Sequence, residues 1–179
     1  IVASGYDRCA HAYAAARSHE PSPQLTLLAE KVRSPGRFLD IGCGAGLPAT
    51  ATLARLGTVI GVDNSSVQIA LARENVPSAQ LIHGDIMAQD FAAASFDAVV
   101  AFYALSHVRR AEHAELIARV RRWTTPGGYL LATLPRSDDP TYIEHDFFGV
   151  TMYWSQYETS WYCEHLEQVG FKILHLGEL

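Results

Sequence analysis

The amino-acid sequence predicts an α/β protein built on a doubly wound, mostly parallel sheet. Two observations carry that expectation. Short strands that are apolar almost throughout, such as TVIGV (58–62) and FDAVVAF (96–102), recur between segments of helical periodicity; strands of this kind are buried on both faces, as in a parallel sheet covered by helices. The stretch FLDIGCGAG (38–46) then sets three glycines on alternate positions directly after the first such strand. In doubly wound sheets that junction is where backbone turns tightly and approaches a ligand.

The elements follow in order. Leu25, Leu28, Ala29 and Val32 at helical spacing predict a helix over 24–32, bounded by Pro21 and Pro23 before it and Ser34-Pro35-Gly36 after it. Alternation then predicts a strand at 37–41, a helix near 47–56, a strand at 58–62, a helix near 66–75 and a strand at 79–83. A strand at 96–102 leads to a helix near 110–123, the Pro126-Gly127-Gly128 turn and a strand at 129–134. Tyr157, Trp161 and Tyr162 start a further helix through Leu166 to Val169, and a strand is expected at 171–178.

Composition narrows the function. A chain of 179 residues, 49% hydrophobic and 18% charged, fits one domain with a sizeable core. No apolar run approaches the roughly 20 residues of a membrane helix. A formal charge of −5 gives no basic stripe for a phosphate backbone, and Arg109, Arg110, Arg119, Arg121 and Arg122 gather near one helix, so nucleic acid is not the expected partner. Three scattered cysteines, Cys9, Cys43 and Cys163, argue against a disulfide framework and for a reducing compartment. With no recognisable leader at the N-terminus, a cytoplasmic location is expected, although the chain starts at Ile1 without a methionine.

Two ligands compete for the glycine loop. Gly44-Ala45-Gly46-Leu47-Pro48-Ala49 formally matches the dinucleotide fingerprint, with Asp63 near the usual offset of the ribose-binding acid. Counted from the strand end at Ile41, however, the first glycine is Gly42, and the third position falls on Leu47, which cannot pack as glycine does. The pattern acid-x-Gly-x-Gly-x-Gly, with Asp40 leading Gly42, Gly44 and Gly46, fits better.

That pattern resembles motif I of class I S-adenosylmethionine-dependent methyltransferases. Asp63 in VIGVDNS, Asp85 in LIHGDI and the strand FDAVVAFYALSHV agree in order and spacing, so the resemblance covers roughly 36–134. It implies that S-adenosylmethionine is the cofactor and S-adenosylhomocysteine the product. It also implies that Asp63, with Asn64 beside it, accepts from the ribose hydroxyls. Asp85 would accept from the adenine amino group, with Ile86 packed on the ring. Asp40 and the glycine amides would hold the methionine end, and backbone near Ala101 and Phe102 would meet its ammonium group. Taken singly, Asp63 could be a helix N-cap and Asp85 a turn former.

Transfer of a methyl group from a sulfonium is an in-line displacement, so alignment is the main requirement and a base is optional. The loop FYALSH (102–107) lacks the signatures of enzymes that act on bases, cytosine C5 or protein arginine, and no acid follows Phe102 to bind magnesium. A metal-independent enzyme methylating an oxygen or nitrogen of a small molecule is therefore expected. His107 is the candidate base, although a backbone hydrogen bond would equally explain it. Residues 142–162 hold eight of the 18 aromatic side chains, and Tyr103, Tyr153 and Trp154 are expected to face the acceptor.

The stretch Met152–Tyr157 is also similar to a small-molecule, type 11-like group of bacterial methyltransferases, in which histidine is usual where this chain has Gln156. YDRCAHAYAAAR (6–17) resembles the lid helix of that group, which implies that Tyr13 and Arg17 close over the methionine end. On this reading 1–35 form lid helices, 36–134 the cofactor core, and 135–179 the acceptor side, with the final antiparallel strand of relatives expected to be missing. A catalytically silent cofactor-binding partner and an NAD-dependent oxidoreductase are the competing readings, and the oligomeric state is left open.

Overall fold

The computed structural model describes residues 1–177. The strands β1 (Gly36–Ile41), β2 (Gly57–Asp63), β3 (Gln80–His83), β4 (Phe96–Ala101) and β5 (Thr124–Ala132) form one sheet in the order β3-β2-β1-β4-β5, every pair parallel. Because side chains alternate along a strand, neighbouring residues serve opposite cores. Phe38, Val59, Ala98 and Val100 pack with Leu25, Leu28 and Leu53 of α2 (Pro23–Lys31) and α3 (Ala49–Ala54). Leu39, Ile41, Val62 and Val99 pack with Leu116, Ile117, Val120 and Trp123 of α5 (His113–Trp123) and with Tyr162 and Leu166 of α6 (Thr159–Gln168). The doubly wound sheet is thus present, with helices on both faces.

Strand order reverses at β1, whose neighbours are β2 on one side and β4 on the other. Crossover connections leave in opposite directions there, and a crevice opens beyond the carboxyl ends of the strands. Two helices close around that crevice. α4 (Ser66–Asn75) starts at Ser65, whose hydroxyl accepts from the Gln68 amide at 3.1 Å. α1 (Val2–Ala16) lies against it through Asp7, whose carboxylate accepts from the Ser65 and Ser66 hydroxyls and from the Val67 amide at 2.7, 3.2 and 3.1 Å. An acid at a helix N-terminus satisfies amides that have no partner within the helix.

Several expectations need correction. The helix expected near 47–56 begins only at Ala49, because the glycine turn persists to Gly46, which has φ of 80°. The strand expected at 129–134 starts at Thr124 and absorbs the Pro126-Gly127-Gly128 stretch at a register shift opposite Phe96 and Ala98. Residues 171–177 form no strand, and Glu178 lies outside the described residues. Among the described residues β5 pairs only with β4, so its outer edge is unpaired and the 171–177 segment does not add to it.

Most of the aromatic segment, in turn, lies in a two-stranded antiparallel hairpin, β6 (Asp139–Phe147) and β7 (Val150–Gln156), while Trp161 and Tyr162 belong to α6. It is fastened to the loop after β4 by Ser155, which is fully buried, accepts from the Arg110 amide at 3.0 Å and donates to the Val108 carbonyl at 3.2 Å. Gly5, Cys9, Val150 and Met152 fix α1 to the same hairpin, so closely that a methyl added at Gly5 would lie 2.9 Å from Met152 Cε.

Replacing Ser155 by alanine leaves the Arg110 amide without its acceptor, at a cost of about 1–3 kcal/mol. Hydrogen exchange should quicken across 139–156 and in α1 while the five-stranded sheet keeps its protection. Unchanged exchange in the hairpin would show that Ser155 is not its anchor.

Candidate active site

The crevice beyond the sheet is a cleft of about 540 Å³, within the roughly 300–1,000 Å³ of small-molecule sites. Its floor comes from the strand tips: Ile41 and Gly42 at the end of β1, Val62 to Ser65 at the end of β2, and Gly84 to Ile86 after β3. Ala104, His107, Val108, Arg109 and Glu112 supply the wall beyond β4; Tyr153 of the hairpin and Ile1, Val2, Ala3 and Tyr6 of α1 close the top.

Gly42 and Gly44 shape the floor. Gly42, at φ 67°, is exposed to the cleft, and a Cβ there would lie 2.6 Å from the Ala104 methyl, across the junction of the β1 and β4 tips. Gly44, at φ 53°, turns its amide onto Asp63 Oδ2 at 2.8 Å. The Ser65 amide donates to Asp63 Oδ1, also at 2.8 Å. Each oxygen of a carboxylate can accept twice, so Asp63 is oriented by two backbone donors and keeps an acceptor position on each oxygen. Burial raises its pKa, and the two amides oppose that rise.

Asp85 stands at the next tip. It accepts from the Met87 amide at 2.8 Å as the cap of a short 3₁₀ turn, and buried Ile86 adjoins it on the cleft wall. The charges facing the cleft are Asp63, Asp85, Glu112 and Arg109, and Arg109 is spent on Glu112, to which it donates from both Nε and a terminal nitrogen. The wall is therefore acidic overall. It fits a ligand that carries a sulfonium, an ammonium group and ribose hydroxyls.

Of the residues singled out from the sequence, Gly42, Asp63, Asn64, Asp85, Ile86, His107 and Tyr153 line this cleft. The remaining nine do not. Asp40 is 1% exposed beneath the glycine loop; its carboxylate accepts from the Thr50 hydroxyl at 2.6 Å, and burial pushes its pKa up to about 7. It supports the loop from behind. Gly46 packs against Ala72 and Val76 of the α4 region, and Gly44 reaches the cleft only through Asp63. Ala101 is core, its carbonyl accepting from the Thr133 amide, and Phe102 packs toward α2 and α3.

Tyr13 and Arg17 do not line the cleft, although the Tyr13 ring packs edge-on against Tyr6, which does. Arg17 donates to the Tyr13 hydroxyl at 2.7 Å and lies over the Tyr103 ring at 4.2 Å, a cluster at the outer end of α1. Trp154 points from β7 onto Tyr142, Phe147 and His107 rather than into the cavity. Gln156 ties the hairpin base to Ser137 and Asp139.

His107 occupies a defined state. Its Nδ1 faces the Tyr153 carbonyl at 3.1 Å, and a carbonyl only accepts, so Nδ1 carries the proton. Nε2 then accepts from the Tyr6 hydroxyl at 2.9 Å. Burial lowers the histidine pKa to about 4 and raises that of Tyr6, leaving both neutral at ordinary pH. Tyr6 is a site residue that the sequence did not single out.

A family model described as a methyltransferase domain matches residues 38–128. The trans-aconitate 2-methyltransferase of Acidovorax sp. (strain JS42) is 34% identical over 130 residues, which are 70% of this chain and 49% of that protein, so this chain spans about half the length of that relative. An uncharacterized methyltransferase of Synechocystis sp. is 33% identical over 152 residues, covering 79% of this chain and 69% of its own. In fold, an S-adenosylmethionine-dependent methyltransferase from Methanosarcina mazei superposes with a TM-score of 0.72 at 21% identity over 87% of each chain. The glycine loop, the acids at successive strand tips and these matches place the chain in one family: it belongs to the class I S-adenosylmethionine-dependent methyltransferases.

Proposed function

We propose that this chain binds S-adenosylmethionine in the cleft beyond the β1, β2 and β3 tips and transfers its methyl group to an oxygen or nitrogen atom of a small molecule, without a metal ion. The observation that carries the reading is Asp63, aimed into the cleft by the Gly44 and Ser65 amides with an acceptor position free on each oxygen. In this reading Asp63 and Asn64 hold the ribose, Asp85 and Ile86 the adenine, and the exposed face of Gly42 lets the methionine end lie close to backbone. The bound sulfonium supplies an electrophilic methyl group. The protein's contribution is alignment: three strand tips fix the donor, while α1 and the hairpin wall off the space beyond it and limit water.

Calorimetric titration tests this directly. The wild type is expected to bind S-adenosylhomocysteine and not NAD. Asp63→Asn removes the charge that a hydroxyl donor would meet, and since a hydrogen bond to a charged group contributes about 1.5–3 kcal/mol, affinity should fall roughly 10- to 100-fold. Binding of NAD alone, or an unaltered affinity in Asp63→Asn, would refute the assignment.

The state of His107 gives a second expectation. Its pKa in the fold is about 4 against about 6.5 unfolded. Between those values the unfolded chain binds more protons, so this group's contribution to stability is complete above about pH 6.5 and is lost as pH falls toward 4. Denaturation at pH 7 and pH 5 should show wild type losing about 1–2 kcal/mol more than His107→Asn. Equal losses would mean that the imidazole is not held neutral.

A further inference from the structure

Resting on that reading, we infer that Tyr6 is the group that receives the acceptor's proton, with His107 behind it as the positioning residue that makes room for that proton, and that the acceptor atom is a neutral hydroxyl oxygen. Two features of the geometry carry this. The lone pair of His107 Nε2 is occupied by the Tyr6 hydroxyl and its Nδ1–H by the Tyr153 carbonyl, so the imidazole has no free nitrogen to offer an acceptor. Tyr6 lines the cleft, and its hydroxyl meets the Tyr13 hydroxyl as well as His107; a phenol oxygen that donates its one proton still holds two lone pairs, more than Tyr13 alone can occupy. A proton leaving the acceptor therefore meets Tyr6 first.

The step balances. A lone pair on the acceptor oxygen forms the new C–O bond to the methyl carbon, and the pair of the breaking C–S bond stays on sulfur, giving S-adenosylhomocysteine. The acceptor's proton passes to Tyr6 Oη as the Tyr6 proton passes to His107 Nε2. One positive charge, on sulfur before, is on the imidazolium after, and it is released to solvent when the products leave. A weak base suffices, because methylation turns a hydroxyl into a strongly acidic oxonium.

The charge and hydrogen bonding around the pair suit this role. The groups facing His107 are the Tyr6 hydroxyl from α1, the Tyr153 carbonyl and the Trp154 ring from β7, none of them charged. Tyr6 is faced by Tyr13 of α1, by Arg17 just past the end of α1 and by Asp63 of β2. An amine would attack through a free lone pair and could lose its proton to water afterwards, whereas a hydroxyl benefits from a partner during attack. A carboxylate acceptor has no proton to give and would want cations; the only arginine on the cleft wall among the described residues is tied to Glu112.

The test uses the whole chain with radiolabelled methyl donor and three acceptor sets: neutral alcohols and phenols (benzyl alcohol, phenol, 2-methoxyphenol), amines (benzylamine, aniline) and carboxylates (trans-aconitate, benzoate). Methylation confined to the hydroxyl set is expected. Tyr6→Phe and His107→Asn should each lower kcat on the order of 100-fold while S-adenosylhomocysteine affinity by calorimetry stays within about 3-fold. Their residual rates should rise with pH as hydroxide replaces the pair, where the wild type is flat from about pH 6 to 8. In ¹⁵N spectra of the ring nitrogens the wild type should show the Nδ1–H tautomer, with Nε2 shifted in Tyr6→Phe. A wild type that binds S-adenosylhomocysteine but methylates no hydroxyl overturns this inference and leaves the proposed cofactor site standing; a wild type that fails to bind it removes the site as well. Loss of cofactor affinity in step with rate in Tyr6→Phe also overturns it, since Tyr6 would then be a cofactor contact.

Discussion

Asp63 is the fixed point of the site. Its carboxylate joins three parts of the chain that are remote in sequence: the loop after β1 through the Gly44 amide, the start of α4 through the Ser65 amide, and, one step further, α1 through the Ser65 hydroxyl on Asp7. A half-buried carboxylate loses hydration, and two backbone amides aimed at it return part of that loss. The same bonds fix the direction of the remaining lone pairs, which is what a ligand with two adjacent hydroxyls requires. Glycine suits position 44, where the amide faces Asp63 with φ of 53°, in the left-handed region that side chains disfavour.

Among the described residues two tyrosines are hydrogen-bonded to histidines, and the contrast between the two pairs separates packing from chemistry. In α5 and α6, His113 donates from Nε2 to the Val108 carbonyl at 3.0 Å, and Nδ1 accepts from the Tyr162 hydroxyl at 2.9 Å. Both residues are at most 2% exposed, so that pair can only satisfy buried polar groups. Tyr6 and His107 share the arrangement with the two ring nitrogens exchanged, but they stand on a cleft wall between α1 and the hairpin. Chemistry is possible for one pair and excluded for the other by access alone.

Much of this was legible in the residues. Apolar strands between amphipathic helices gave the parallel sheet, and the glycine loop and the acids at 63 and 85 marked the strand tips. The hairpin was not legible, because its two-residue turn is Phe148-Gly149 with φ of 52° and 78°; such a turn is usually announced by asparagine or aspartate before glycine. Asp40 leads the glycines and so has the position of a ligand contact in the sequence, whereas the strand's alternation turns its side chain under the loop to Thr50. Tyr6 carries no local signature, because its importance lies in a contact 101 positions away, with His107. No local pattern encodes such a pairing.

The most direct test of the central claim is a titration of the ¹⁵N-labelled chain with S-adenosylhomocysteine, following backbone amides. Saturable shifts are expected at Gly42, Gly44, Ser65 and Ile86, since these amides lie on the cleft floor or hold its acids. Shifts confined to the hairpin face or to α5 and α6, with those four amides unmoved, would contradict that claim.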